Sequence, residues 1–253
     1  MMRSGNPVLS DKTFTRHIDL TGDDRMTLMG TVHKTAALLI LLVLTASYTW
    51  SLVMGVNAEG QLVAAPGIFG YMIGGAIGGL IFALLTCFKP TWAPITAPLY
   101  AAAEGLFIGA ISAFAESRFP GIVLQAVGLT FGTLFALLGA YRSGLIRATE
   151  NFKLGVCAAT GGIFMVYMAT FILGMFGVQI PFIHGTGLMG IGFSAFVVVI
   201  AALNLVLDFD FIEKGADHGA PKYMEWVGAF GLMVTLVWLY IEILHLLMKL
   251  RSR

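Results

Sequence analysis

Charge is scarce in this chain: 15 lysines and arginines and 14 acidic residues among 253, or 11%. A soluble domain carries about a quarter charged residues, so a water-facing globule is excluded. Cysteine is scarcer, with only Cys87 and Cys157; that rules out a disulfide-stapled fold, and both read as small apolar residues. Long polar stretches are nearly absent. Residues 1–33 and 209–225 are the two extended ones, each too short to bury a core of its own, so a second domain is excluded. The net charge is only +1, and no nucleic-acid partner is expected.

Apolar residues make up 58% of the chain and come in blocks. A membrane-spanning helix needs about 20 of them in succession. Such blocks lie near 36–56, 67–88, 95–115, 121–141, 154–176, 185–208 and 226–248. The expected architecture is an all-α integral membrane protein: a seven-transmembrane helix bundle over 34–253, entered by a tail over 1–33. The first apolar run, AALLILLVLTASYTWSLVMGV, exceeds a signal-peptide core and is expected to stay as the first helix. Basic residues set the orientation. Eleven fall in the tail and in the 2/3, 4/5 and 6/7 loops, against four on the other side, namely Arg118, Lys249, Arg251 and Arg253. The N-terminus is therefore expected in the cytoplasm. Seven spans put the basic C-terminal tail outside; a last helix that re-enters would put it inside.

In helix 2, Gly70, Gly74 and Gly78 recur every fourth residue, as do Gly75 and Gly79. Small residues at that spacing let helix backbones approach closely. Internal packing is the preferred reading over a dimer interface, and Gly128, Gly132, Gly161 and Gly162 fit it too. KPTWAPITAP reads as a stiff turn, with Trp92, Trp50 and Trp226 as interfacial anchors. TGDDRM reads as the start of a short amphipathic helix.

Three acids fall inside apolar blocks: Glu104, Asp208 and Glu242. Ionisable groups there face the bundle interior or a watery cavity and are functional candidates. Asn204 precedes Asp208 by one helical turn, while Asp210 and Glu213 lie near the headgroups. In the last helix, Trp238, Glu242, His245 and Lys249 share one face, so Glu242 and His245 are placed to share a proton or hydrogen bond. Lys249 is expected to snorkel outward. No motif supports catalysis. Glu242-x-x-His245 occurs once where a di-metal carboxylate site needs two copies, HExxH and GxSxG are absent, and helix 7 has no mid-depth lysine. An enzyme is not expected, nor a resident cofactor.

Several stretches, taken in order, resemble the Bax inhibitor-1 (transmembrane Bax inhibitor motif) family, in its bacterial YccA-like branch. These are NPVLSDKTF, MTLMGTVHKTAALL from Met26, YTW at Tyr48 to Trp50, LDFDFI at Leu207 to Ile212, and YIEILHLLMKL from Tyr240. The resemblance implies a seven-helix bundle with helix 7 near its centre, and a pH-sensitive leak for cations, chiefly calcium, in the bacterial inner membrane. It also implies a proton-sensing acidic pair between helices 6 and 7, which carries over to Asp208 and Glu242; Glu104, read from its place inside an apolar block, is the second choice as a pathway residue. Calcium prefers several oxygen ligands, so Asp208 and Glu242 would be its ligands. The basic partner that the family keeps in helix 2 has Lys89 as its nearest counterpart.

A hairpin centred on Gly215 and Gly219 would set Asp208 opposite residue 226, about 24 Å below Glu242 at 1.5 Å per residue. Either helix 7 starts late after a bent 216–225 segment, or the acids do not touch and form a ladder with Glu104. A second functional reading is an interaction protein that modulates a membrane protease or another membrane partner. It would place the function in residues 1–25.

Overall fold

The computed structural model describes residues 24–57, 62–65, 67–177, 185 and 187–253. Seven α-helices are found among them: α1 (Leu28–Val53), α2 (Ile68–Phe88), α3 (Ala93–Arg118), α4 (Ile122–Arg142), α5 (Glu150–Met175), α6 (Leu188–Asp217) and α7 (Met224–Arg251). Each is long and apolar enough to cross a membrane. At 1.5 Å per residue, even the shortest spans about 31 Å. Strands β1 (Met54–Val56) and β2 (Leu62–Ala64) form a small antiparallel pair between α1 and α2.

α7 is the hub. It packs against α1, α3, α4 and α6, and 72% of its apolar span is buried, against 11% for α5. Its core side chains include Met233, Leu239 and Leu244, all fully enclosed. Tyr240 and Ser112 share a 2.6 Å hydrogen bond that ties α7 to α3 inside the core. Facing outward are large apolar side chains such as Leu44, Ile73, Leu80 and Phe171, as expected of helices surrounded by lipid rather than water.

The threonine hydroxyls of α1 are satisfied locally, as a medium without water requires. The hydroxyls of Thr31, Thr35 and Thr49 donate to carbonyls one turn back in α1. Thr27 caps α1, accepting from Gly30 N at 2.9 Å. This cap starts α1 at Leu28, within the stretch read as tail. Gly121 (φ 81°) makes the left-handed turn into α4, where the Glu116 carboxylate accepts from Gly121 N and Val123 N at 2.6 and 3.1 Å.

The glycines divide by what they face. A Cβ on Gly75 would strike the backbone of Ala103 and Phe107 in α3, whereas Gly70 and Gly74 face open space. Gly128, Gly132, Gly161 and Gly162 also have nothing within 4 Å, so internal packing does not account for them. The closest approach falls elsewhere: Gly105 and Gly109 in α3 abut the backbone of Leu42 and Ala46 in α1.

α7 runs unbroken to Arg251, with no re-entrant turn. Arg251 Nη1 donates to the Pro120 carbonyl at 2.8 Å and Nη2 to Gln125 Oε1 at 3.2 Å. The C-terminus therefore sits beside the 3/4 loop, across the bundle from residue 24. Of the tail on which the partner reading rests, residues 1–23 lie outside the described residues, as does half of TGDDRM. From Arg25 to Thr27 the chain is not helical. Arg25 bridges Pro221, and Met26 N donates to the Ala220 carbonyl at 2.7 Å, strapping the entry of α1 to the 6/7 loop.

Candidate functional site

The α6–α7 hairpin decides where the acids stand. α6 continues to Asp217 and α7 begins at Met224, so the turn is centred beyond Gly219 rather than between Gly215 and Gly219. Asp208 consequently faces residues 231–235 instead of 226. Its Oδ1 lies 3.8 Å from where a Cβ on Gly231 would stand, and its carboxylate is hydrogen-bonded by Thr235. The other oxygen, Oδ2, is fully buried with no hydrogen-bond partner. One turn earlier, Asn204 Nδ2 donates to Thr160 Oγ1 and to its own Ile200 carbonyl, both at 2.8 Å, joining α6 to α5.

Glu242 is seven residues beyond Thr235, about 10 Å along the axis. It is buried and receives Tyr167 OH from α5 at 3.0 Å and Trp238 Nε1 from one turn back at 3.3 Å, both on Oε1. It lines a cavity of about 440 Å³ at the C-terminal end of the bundle. Arg118, Phe193, Ser194, His245 and Lys249 share the lining. Lys249 turns inward rather than snorkelling away. Its ammonium donates to Ser194 Oγ at 2.8 Å and the Gly190 carbonyl at 3.2 Å, acceptors in α6 that lipid lacks. From there its charge acts on Glu242.

The acids thus occupy separate places. Asp208 and Glu242 cannot both ligate one ion at this separation, and no cluster of three or more potential metal ligands occurs among the described residues. Glu104 points from α3 at α2, where a Cβ on Gly79 would sit 2.5 Å from its Oε2; it does not line the Glu242 cavity. Asp210 pairs with Lys153 at 3.0 Å and Lys214 at 2.8 Å, near the Tyr141–Glu213 hydrogen bond. Lys89 is exposed and lies 4.3 Å from the centre of the Trp92 ring, so it approaches neither Asp208 nor Glu242.

Among the described residues, the least exposed acid escaped sequence reasoning. Glu225, in the first turn of α7, is 1% exposed. It pairs with Lys34 and accepts from Thr27 N and Oγ1, both at 2.9 Å. The available signal was Lys34 itself, a lone cation at the head of an apolar run and in need of a counter-charge.

Seven spans, a central last helix and buried carboxylates on α6 and α7 are the frame into which the sequence falls. The chain matches the Bax inhibitor 1 like family over residues 6–252. It belongs to that family. Neither the curated proteins nor the solved structures yield a match. For this Bax inhibitor 1 like protein, the site consists of a buried Glu242 beneath an open cavity and, two turns deeper, an Asp208 with one unpartnered oxygen.

Proposed function

We propose that this protein is a proton-controlled leak for cations, with calcium the expected ion, and that Asp208 and Glu242 mark its path. The observation that carries this reading is the sealed Oδ2 of Asp208. A negative charge on a buried, unpartnered oxygen is costly, so a proton, a cation or water must accompany it. Neutral Asp208 suits the closed arrangement, in which fully buried Leu239 and the Trp238 side chain fill the turn between the two acids. Ionised Asp208 favours separation of α6 from α7 and entry of water and cations from the Glu242 cavity. The excess of basic residues at the N-terminal end supports a cytoplasmic N-terminus, with the cavity opening on the opposite face. The resemblance of residues 6–14 and 26–39 to the bacterial branch supports the bacterial inner membrane.

Calcium flux into proteoliposomes, followed from acidic to neutral pH, tests the proposal. Flux should rise as protons are withdrawn. Asp208→Asn should hold it low and pH-insensitive, and Glu242→Gln should reduce it while leaving the protein folded. No flux above that of empty liposomes, from folded protein, would overturn the reading.

A further inference from the structure

A groove of about 440 Å³ runs along the flank of the bundle between α1 and α4, and it shares no lining residue with the Glu242 cavity. α3 and α7 form its floor, through Ser112 on one and Tyr240 on the other. α1 packs on both floor helices, and so does α4, which leaves these two as the walls. On α1 the lining runs from Leu39 to Trp50, and on α4 from Phe131 back to Val123. α4 begins beside the C-terminus, where Arg251 meets Pro120 and Gln125. The groove therefore opens at that end of the bundle and closes near mid-depth.

Its dimensions select an occupant. The stretch from Leu39 to Trp50 covers about 16 Å at 1.5 Å per residue, half of a hydrocarbon core of about 30 Å. That is the reach of one leaflet. A helix about 10 Å across would need roughly 1,300 Å³ over the same length, so the space takes a hydrocarbon chain and not a helix of a second copy. Its chemistry agrees. The floor hydroxyls of Ser112 and Tyr240 are spent on each other at 2.6 Å, and Thr130 on the α4 wall donates to the Ala126 carbonyl at 2.8 Å. Water needs two or more polar partners, whereas walls such as Val43, Val127 and Phe131 offer dispersion contact. Ser47 and Trp50 stand at the outer end. An indole in the last turn of a spanning helix prefers the boundary between headgroups and acyl chains.

We propose that this groove is a binding site for one acyl chain of a phospholipid from the leaflet at the C-terminal end. The ester lies beside Trp50 and Ser47, and the tail descends between Val43 of α1 and Val127 of α4 towards Leu39. The chain joins α1 to α4 across the hub helix and closes with lipid a flank that the protein leaves open. Recognition rests on chain length rather than on the headgroup. The site is independent of the leak: it binds whether or not cations pass.

Native mass spectrometry of the full-length protein in neutral detergent tests this with phosphatidylcholines of graded chain length. One dimyristoyl or one dipalmitoyl lipid per protein should be retained to the same extent. The dioctanoyl lipid, too short to reach Leu39, should be retained about tenfold less, as the loss of roughly ten dispersion contacts implies. Phosphatidylglycerol with the same chains should behave alike. Val43→Phe/Val127→Phe fills the groove and should lower long-chain retention by a similar factor, removing the length dependence. Leu44→Phe/Leu124→Phe, at neighbouring exposed positions outside the groove, should change neither. No retained lipid, retention that ignores chain length, or a filled variant that binds as the wild type does would overturn the proposal. So would a dimer that the filled variant dissociates, which gives the groove to a second copy, or retention of palmitate but of no phospholipid. The chain-length series uses the unmodified protein and decides the matter even where the filled variant fails to fold.

Discussion

Glu225→Ala should destabilise the protein by about 3–5 kcal/mol, the range for removing one partner of a buried ion pair. Glu225 is enclosed, and the Lys34 side chain is only 18% exposed. Truncation strands the Lys34 ammonium together with Thr27 N and Oγ1, which donate to the same carboxylate. It also unties the strap from the hub helix. The loss arises mainly from the abandoned partner rather than from the net worth of the pair. The compensating variant Lys34→Met/Glu225→Leu should therefore recover much of it. Gly30→Ala should mimic the single variant, because a Cβ there would stand on the Glu225 carboxylate. Thermal unfolding of the full-length protein in detergent is the measurement. A wild-type midpoint for Glu225→Ala, or a double variant less stable than the single one, would refute this account.

The other large effect is expected where α1 and α3 touch. Gly109→Val should cost about 1–3 kcal/mol or more, since even a Cβ at Gly109 would overlap the Ala46 carbonyl and Cα, which are backbone atoms that cannot rotate aside. Gly105→Val should behave likewise against the Leu42 carbonyl. Without a hydrophobic force between helices in lipid, close contact carries the association, and a forced separation forfeits it over the whole α1–α3 face. Gly128→Ala and Gly132→Ala offer the contrast. Both face open space and should be neutral or stabilising by up to about 1 kcal/mol through helix propensity. The same detergent unfolding assay separates the pairs, and equal losses at all four positions would falsify the assignment of the contact.

Most of the architecture was legible because spanning helices are read from composition alone. Each of the seven apolar blocks became one helix, with ends shifted by local chemistry such as the Thr27 cap and the run of α6 past Asp208 to Asp217. Which glycines pack was not legible. A four-residue spacing marks a helix face without saying what lies against it: Gly75 and Gly105 meet a neighbour, and Gly128 meets none. Among the acids, Glu242 and Asp208 stood out because apolar residues surround them. Glu225 did not, since its burial comes from Thr27 and Lys34, nearly 200 positions earlier in the chain. The separation of Asp208 from Glu242 depended on the centre of one hairpin, and a few residues of error there move a helix level by several ångströms.

The central position of α7 also has a consequence for the order of assembly. It is the last of the seven helices to leave the ribosome, so α1 to α6 enter the bilayer before the element they pack around exists. α1 and α3 can join early through Gly105 and Gly109, with α2 clasped to α3 at Gly75. The side of the bundle between α1 and α6 has to stay open until α7 arrives. Glu225 and Glu242 are then delivered together, one to each end, and the bundle is closed by its final segment.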